Sequence, residues 1–467
     1  MRIGGGAIVC LGWLAACPLG AQSLPEVTIE PEVRALIAIK QRMRASLEEV
    51  PEFVCGQTIR RIRVNEEQRR KLEKRMAKAR ARGRNLRETT LAEYSDVVRL
   101  EVAVVDGVEL YSWPGAAFEP IPPAELVGFG LMADGALFSF ARSIFLTRQA
   151  VIRFAGEQDL DGRPALRFDY EVSYFTSGYT ITTVSGSAKV AFRGSFWADR
   201  DSYALLRLDK EGVDLPPELG LVAATARIDY QQATIDGREL TLPRRAVDEL
   251  RAMDGAVSRN EATFEGCRRF VAGSSLSFDV TEDITAPEVL EPTTRPVRTL
   301  PVIPSGLTLR LRLVAAVRGE KAVVGDAVTA ELRQDVEVEG RTLARKGDQV
   351  RGRVRRLQRL GGEDAPYYAV ALSFDTLETA DGAAPVHAKL IDVQDARGIS
   401  RSEPSQLRVE ASRRRNFGFE TYGGGIETSA SVEEVDLGID GLETFYVPGE
   451  RWVLPKGFGL TLETTGP

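Results

Sequence analysis

The chain has a single histidine, His387, among its 467 residues. Metal sites that need several histidines, and zinc clusters built from cysteine and histidine, therefore lack their ligands. A Ser-His-Asp triad could use only His387, which lies in an alternating segment, 384–390, typical of a strand. A strand histidine that faces solvent is the simpler interpretation. We expect no catalytic residue, no metal site and no cofactor.

Cysteine is also scarce, because Cys10 and Cys17 lie near the N-terminus and only Cys55 and Cys267 remain in the body of the chain. In an oxidising compartment, two lone cysteines pair most simply as a disulfide. The alternative is two buried, reduced thiols. The formal net charge of −6 argues against a nucleic-acid partner.

Long apolar runs are missing as well, since no run is long enough to span a bilayer as a mature helix. The run at residues 3–16 follows Arg2 and has the layout of a secretory signal, so we expect a signal peptide over residues 1–21. Residues 14–17 resemble the lipobox of bacterial lipoproteins, in which Cys17 would be acylated. Residues 19–21 offer an ordinary signal-peptidase site instead. Both alternatives predict an exported protein of the periplasm or cell envelope.

Most of the remaining chain alternates apolar and polar residues, as strands with one buried face do. Asp-Gly pairs at 106–107, 161–162 and 236–237 are typical of tight hairpin turns. A helical pattern over residues 31–48 precedes these strands. We therefore predict a mainly β protein with a few helices (α+β), whose first domain, 22–284, is an antiparallel half-barrel sheet with a helical lid.

Five prolines, at 287, 292, 296, 301 and 304, predict a linker over residues 285–304. A second set of alternating segments follows the linker. It predicts a smaller β-barrel-like domain over residues 305–467. Residues 399–437 are polar and rich in serine, glutamate and arginine, so we expect a mobile insertion there.

Two segments interrupt the first set of strands. Residues 60–87 are densely basic, which indicates either a solvated helical excursion or an arm that meets anionic lipid head groups or an acidic partner. Residues 122–146 are too apolar for an exposed loop. They form either a core helix that closes one side of the sheet or a lid over an apolar cavity.

Residues 194–208, with their aromatic-x-Asp and Leu-x-Arg-Leu sequences, and residues 228–230 are similar to strands of the LolA/LolB-like class of periplasmic proteins. The similarity continues at Gly237 and at Leu242-Pro243 and covers roughly residues 30–280. Members of this class are half-open β-barrels with a helical lid that carry or sense lipoprotein acyl chains. The resemblance implies the same fold for the first domain.

Residues 303–307, 324–328 and 345–352 resemble the periplasmic β-barrel domain of TrbI-type conjugation proteins. This resemblance implies a small assembly or docking barrel and no active site. The chain as a whole also resembles a family of secreted proteins of soil bacteria, and this resemblance implies a family but no function.

Together these patterns predict a non-enzymatic envelope protein that holds an acyl chain or an apolar peptide on a concave sheet face. The expected partner is a lipid, a lipoprotein acyl chain or an envelope protein, with peripheral or lipid-anchored membrane association. A structural or scaffolding protein without a small ligand is the first alternative, and a carboxylate-dependent hydrolase is the second. The residues expected to line or cover the face are Trp113, Phe129, Met132, Phe138 and Phe145.

Overall fold

The computed structural model describes residues 30–48, 51–82, 93–147, 150–270, 303–360, 366–380, 382–393, 399–400, 431–436 and 443–465. The expected signal peptide, Cys17 and nearly all of the expected linker lie outside the described residues. None of the described helices is long and apolar enough to cross a membrane.

The helices within these ranges are α1 (Pro31–Glu48), α2 (Glu66–Arg80), α3 (Pro123–Val127) and α4 (Ser139–Phe145), with a 3-10 turn at Pro217–Leu219. α1 has the predicted bounds. It buries Ile39, Met43 and Leu47, which are spaced four residues apart and therefore lie on one face. That face packs against the sheet and against α4.

The strands of the first half are β1 (Phe53–Val64), β2 (Tyr94–Val105), β3 (Val108–Ser112), β4 (Phe129–Ala133), β5 (Ala150–Leu160), β6 (Arg163–Val172), β7 (Thr180–Thr183), β8 (Gly186–Lys189), β9 (Ala191–Asp199), β10 (Leu205–Val213), β11 (Leu221–Ile235), β12 (Arg238–Ala252) and β13 (Val257–Arg269). Most of them form one antiparallel sheet in the order β5-β6-β9-β10-β11-β12-β13-β1-β2-β3. The predicted antiparallel sheet is therefore confirmed.

The turn between β2 and β3 shows why Asp-Gly pairs mark these hairpins. Asp106 has φ 52° and Gly107 has φ 74°, so both residues adopt the left-handed region that a type I′ turn requires. Asp236 and Gly237 repeat this geometry between β11 and β12.

The disulfide joins Cys55 on β1 to Cys267 on β13, with a Cα–Cα distance of 4.1 Å. The two strands are direct neighbours, and the register between them shifts between Val54 and Gly56, beside Cys55. The predicted pairing is confirmed. It links β1 to β13, the last described strand before the expected linker.

The strands of the second half are β14 (Thr308–Leu313), β15 (Val317–Arg318), β16 (Ala327–Leu332), β17 (Val336–Val338), β18 (Arg341–Ala344), β19 (Gln349–Leu360), β20 (Tyr367–Thr379), β21 (Gly382–Pro385), β22 (Ala388–Val393), β23 (Ser431–Asp436), β24 (Phe445–Pro448), β25 (Val453–Leu454) and β26 (Gly459–Thr464). Their main sheet runs β22-β26-β14-β16-β19-β20-β24.

The two halves are hydrogen-bonded to each other. β19 pairs with β2, and the amide of Arg99 donates to the carbonyl of Val324 at 2.8 Å. The amide of Val324 donates back to Val97 at 2.9 Å. Whether the halves fold independently stays a prediction, but their separation would break these bonds.

Two expectations about segments need correction. Residues 431–436 of the insertion expected to be mobile form β23, which pairs with β4 and β7 of the first half. The basic segment 60–87 is helical only from Glu66, because residues 60–64 still belong to β1. In residues 431–436 strand pairing with distant residues overrides local composition, whereas the alternating pattern of residues 53–64 already predicts the strand that includes 60–64.

Candidate functional site: the lid and its polar contacts

Residues 122–146 form a lid made of α3, β4 and α4, which lies on the inner face of the sheet. Pro122 precedes α3 as its N-cap and Pro123 begins the helix, since a proline in the first turn leaves no helical bond unmade. Gly128 ends α3 with a left-handed φ of 81°. Because β4 and α4 follow within a few residues, the chain turns back on itself over the sheet.

The five residues predicted to line or cover the apolar face are all buried in the same core. Phe138 lies 6.0 Å from Phe53 of β1, and Phe145 lies 4.9 Å from Phe196 of β9, measured between ring centroids. Phe129 and Met132 contact Arg61. The lid side chains therefore occupy the sheet face themselves in this conformation.

Trp113 lies apart from the other four, at the junction with the second half. The guanidinium carbon of Arg355 is 5.1 Å from the Trp113 ring centroid, and Arg355 also donates to the carbonyl of Leu126 in α3 at 3.1 Å. Gly325 approaches so closely that a Cβ there would lie 3.0 Å from the Trp113 ring. Arg355 therefore joins both Trp113 and the lid to the second half.

A buried ion pair holds the β4 part of the lid. Arg61 donates to both carboxylate oxygens of Asp96, at 2.8 and 2.7 Å, and neither side chain is exposed to solvent. A third nitrogen of the same guanidinium donates to the carbonyl of Phe129 at 2.6 Å. The Phe129 ring lies 4.7 Å from the guanidinium carbon, so Arg61 contacts both the backbone and the side chain of the lid.

Gly130 allows this close approach. It has φ 77°, and a Cβ there would lie 2.5 Å from the hydroxyl of Tyr94 and 3.0 Å from a nitrogen of Arg61. Any other residue would push the lid away from the ion pair. On the other side of β4, the Asn260 amide donates to the carbonyl of Leu131 at 2.8 Å.

Glu109 of β3 holds the turn before α4. Its carboxylate accepts the amides of Gly135 at 3.1 Å and Phe138 at 2.9 Å, and the hydroxyl of Tyr111 at 2.7 Å. Burial raises the pKa of Glu109, although these hydrogen bonds partly lower it. Glu109, Arg61 and Asn260 thus bond the lid backbone to the sheet at separate points, and we call them the lid contacts.

A lysine lies beneath α4. The ammonium nitrogen of Lys210 is 3.3 Å from the ring centroids of both Phe140 and Tyr179 and has no hydrogen-bond partner among the described residues. Burial lowers the pKa of Lys210 well below its usual range, while the charges of Asp248 and Asp134 raise it in part. The aromatic faces attract the charged form of the amine.

Asp248 of β12 is the acidic neighbour of this lysine. Burial raises its pKa to about 6, and the charge of Lys210 opposes that shift. Lys210 and Asp248 therefore place two titratable groups in an otherwise apolar interior, directly under the part of the lid that carries Phe140.

None of these polar residues was singled out from the sequence. A usable signal was nevertheless present, because Arg61, Lys210, Asp248 and Asn260 each fall on the inward phase of an alternating strand. Arg61 lies two residues after buried Ile59 and so points to the same side of β1. Each of the other three likewise lies two residues from a buried residue of its own strand. A charged residue at an inward position indicates a paired or functional group.

No group of three or more histidine, cysteine, aspartate or glutamate side chains could hold a metal ion in the part of the chain that the structure describes. A cavity of about 210 Å³ lies at the β5–β6 hairpin, away from the lid. It is lined by Glu157, Gln158, Asp159, Pro164 and Ala165.

Solved structures with a similar fold include a domain from Vibrio parahaemolyticus assigned as an outer membrane lipoprotein-sorting protein, with 13% identity and a TM-score of 0.27 over 50% of this chain and 92% of that one. A DUF1329 family protein from Desulfovibrio piger has 12% identity and a TM-score of 0.25, over 52% of this chain and 95% of that one. The LolA superfamily protein NE2245 from Nitrosomonas europaea has 10% identity and a TM-score of 0.24, over 50% of this chain and 92% of that one.

The third of these proteins is named as a member of the LolA superfamily, the class whose fold is expected from the sequence of residues 30–280. At such TM-scores the likeness carries no argument about a ligand or a partner. No family model and no curated protein matches the chain.

Proposed function

We propose that this protein is an exported, non-enzymatic binding protein of the cell envelope that takes up an acyl chain between the lid and the sheet. The supporting observation is the way the lid is attached. Its apolar side chains fill the sheet face, while a few polar side chains of the sheet bond its backbone at separate points. Those bonds can break and reform, so the lid can exchange its own side chains for an acyl chain.

The free energy of burial allows such an exchange for a long apolar chain. An acyl chain that replaces the lid side chains on the sheet face gains about 0.8 kcal/mol for each buried methylene. Opening the lid exposes side chains such as Phe138 and Phe145, which are buried now. A long chain can offset that loss, whereas a short or polar ligand cannot. The disulfide between Cys55 and Cys267 is consistent with the proposed export.

The experiment is a titration of a fluorescent long-chain fatty acid into the wild type and the Glu109→Gln variant. The substitution keeps the shape but removes one carboxylate oxygen that accepts from Gly135 and Tyr111. Losing such a buried contact weakens the closed lid by roughly 1.5 kcal/mol, which tightens the apparent affinity about tenfold if closure competes with binding.

Thr464→Val is the matched control. Thr464 accepts the amide of Leu307 and donates to Pro304, so this variant also loses buried hydrogen bonds, but far from the lid. It should lower stability and leave affinity unchanged. If neither the wild type nor Glu109→Gln binds the fatty acid, the proposed function is wrong.

A scaffolding role without a small ligand is the second candidate. It is favoured by the contacts that tie the lid to the second half: Arg355 bonds the carbonyl of Leu126, and β23 pairs with β4. In this role the lid is permanent core. Glu109→Gln would then lose stability without gaining any affinity for an apolar ligand.

A further inference from the structure

One end of the first-half sheet collects features that neither the lid nor the disulfide explains. Val64 pairs with Val257, Leu221 with Ala252, and Val213 with Ala191, so these strand ends lie together. α2 follows Val64, and the connecting loops 173–190 (which include the short strands β7 and β8), 214–220 and 253–256 join neighbouring strand ends. We call this the α2 end of the sheet.

α2 gives this end a positive surface. It contains four arginines and three lysines against three glutamates. The exposed basic side chains include Arg70, Lys74 and Lys78. The helix starts against the 253–256 loop, since Asn65 caps it by accepting the amide of Gln68 and donates to the carbonyl of Asp254.

The same end exposes apolar side chains on separate loops. The most exposed large apolar residues of the described chain include Phe175 at 89%, Val184 at 71%, Met253 at 60%, Val222 at 58% and Tyr174 at 54%. All five lie in or directly beside the loops of the α2 end. Single exposed apolar residues need no explanation, but five at one end together with a basic helix do.

The aromatic pair has a cation beside it. Lys189 lies with its ammonium nitrogen 5.6 Å from the ring centroid of Tyr174 and donates to the carbonyl of Phe175 at 3.5 Å. Aromatic side chains next to basic ones are typical of the interface between lipid head groups and acyl chains.

We propose that the α2 end docks on a lipid bilayer with anionic head groups. The basic side chains of α2 would meet the phosphates, and Phe175, Val184 and Met253 would enter the head-group region. A deformable bilayer can accept apolar side chains that stand on separate loops. An acidic protein partner would explain the charges of α2 but not these apolar side chains.

The test of the docking surface is separate from the fatty-acid titration, because none of the residues substituted below lies in the lid. The probe is co-sedimentation of the full chain with vesicles of phosphatidylcholine, with or without phosphatidylglycerol. Cys17→Ser is present in every variant, so that no attached acyl chain contributes. We expect binding only to the anionic vesicles and a marked loss at high salt.

The basic variant combines Arg70→Ser, Lys74→Ser and Lys78→Ser. Since each basic side chain near an anionic surface strengthens binding about fivefold, the variant should partition roughly a hundredfold more weakly. The apolar variant, Phe175→Ser with Met253→Ser, should also bind more weakly while keeping its salt dependence.

Matched controls replace exposed residues away from this end. They are Lys321→Ser with Arg345→Ser and Lys346→Ser for the charges, and Val453→Ser for the apolar contribution. Both should bind like the wild type. If the wild type ignores anionic vesicles, or the basic variant binds them as well as the wild type, the proposal is wrong. The first result would also favour an acidic protein as the partner of α2.

Discussion

Removing Arg61 should show how firmly the lid is held. Arg61→Met deletes two bonds to Asp96 and one to the carbonyl of Phe129. The carboxylate of Asp96 would stay buried without its partner, and such a charge destabilises a fold by about 3–5 kcal/mol. We therefore expect the free energy of unfolding to fall by about 4 kcal/mol.

The double variant Arg61→Met with Asp96→Val separates the charge effect from the lid contact. It removes both charges, so only the carbonyl of Phe129 stays without its donor, at about 1–3 kcal/mol. The double variant should therefore be more stable than the single variant by roughly 2 kcal/mol. Urea unfolding at neutral pH measures both values.

Amide exchange locates the effect. In Arg61→Met the amide of Leu131, which donates to Tyr94, should exchange faster, while amides of β11 and β12 keep their protection. A loss of stability below about 1 kcal/mol in the single variant would refute the buried ion pair. If the double variant is less stable than the single variant, the unpaired charge of Asp96 is not what destabilises the single variant, and this reasoning is wrong.

Three further predictions concern charge, covalent linkage and domain division. Asp248 has a folded pKa near 6 against an ordinary value of 3.8, so its contribution to stability is present at low pH and lost as pH rises through 6. Relative to Asp248→Asn, the free energy of unfolding should fall by roughly 2 kcal/mol between pH 4 and pH 7 in urea titrations, and a constant difference would contradict this. Replacing Cys55 and Cys267 with alanine should lower the free energy of unfolding by up to about 5 kcal/mol, and equal urea midpoints would speak against a formed bridge. Separately expressed fragments 22–284 and 305–467 should each unfold cooperatively, and a second fragment that folds only when mixed with the first would show a shared core.

Local chemistry made much of the fold predictable. The hairpin at Asp106 and Gly107 and the helix that begins at Pro31 follow from turn and helix rules that act over a few residues. The disulfide followed from composition, because only two cysteines remained in the body of the chain. The segment 122–146 was recognised as a cover by its apolar density.

The rest depended on distant residues. Nothing near Arg61 in the sequence shows that Asp96 and Phe129 will surround it. β23 lies in a stretch whose composition predicts disorder, and it is a strand because β4 and β7 offer open edges. Lys210 is in the core because two aromatic rings from other elements enclose it.

The pairing of β23 with β4 also imposes an order on synthesis. Chains are made from the N-terminus, and N-terminal units generally fold first. β4 can pair with its neighbour only after Asp436 has left the ribosome, when most of the chain already exists. Until then β4 has no partner among the described strands, and a strand of another chain can pair with it. A chain truncated before β23, such as the fragment 22–284, would leave β4 unpaired permanently, so we expect that fragment to fold but to self-associate as its concentration rises.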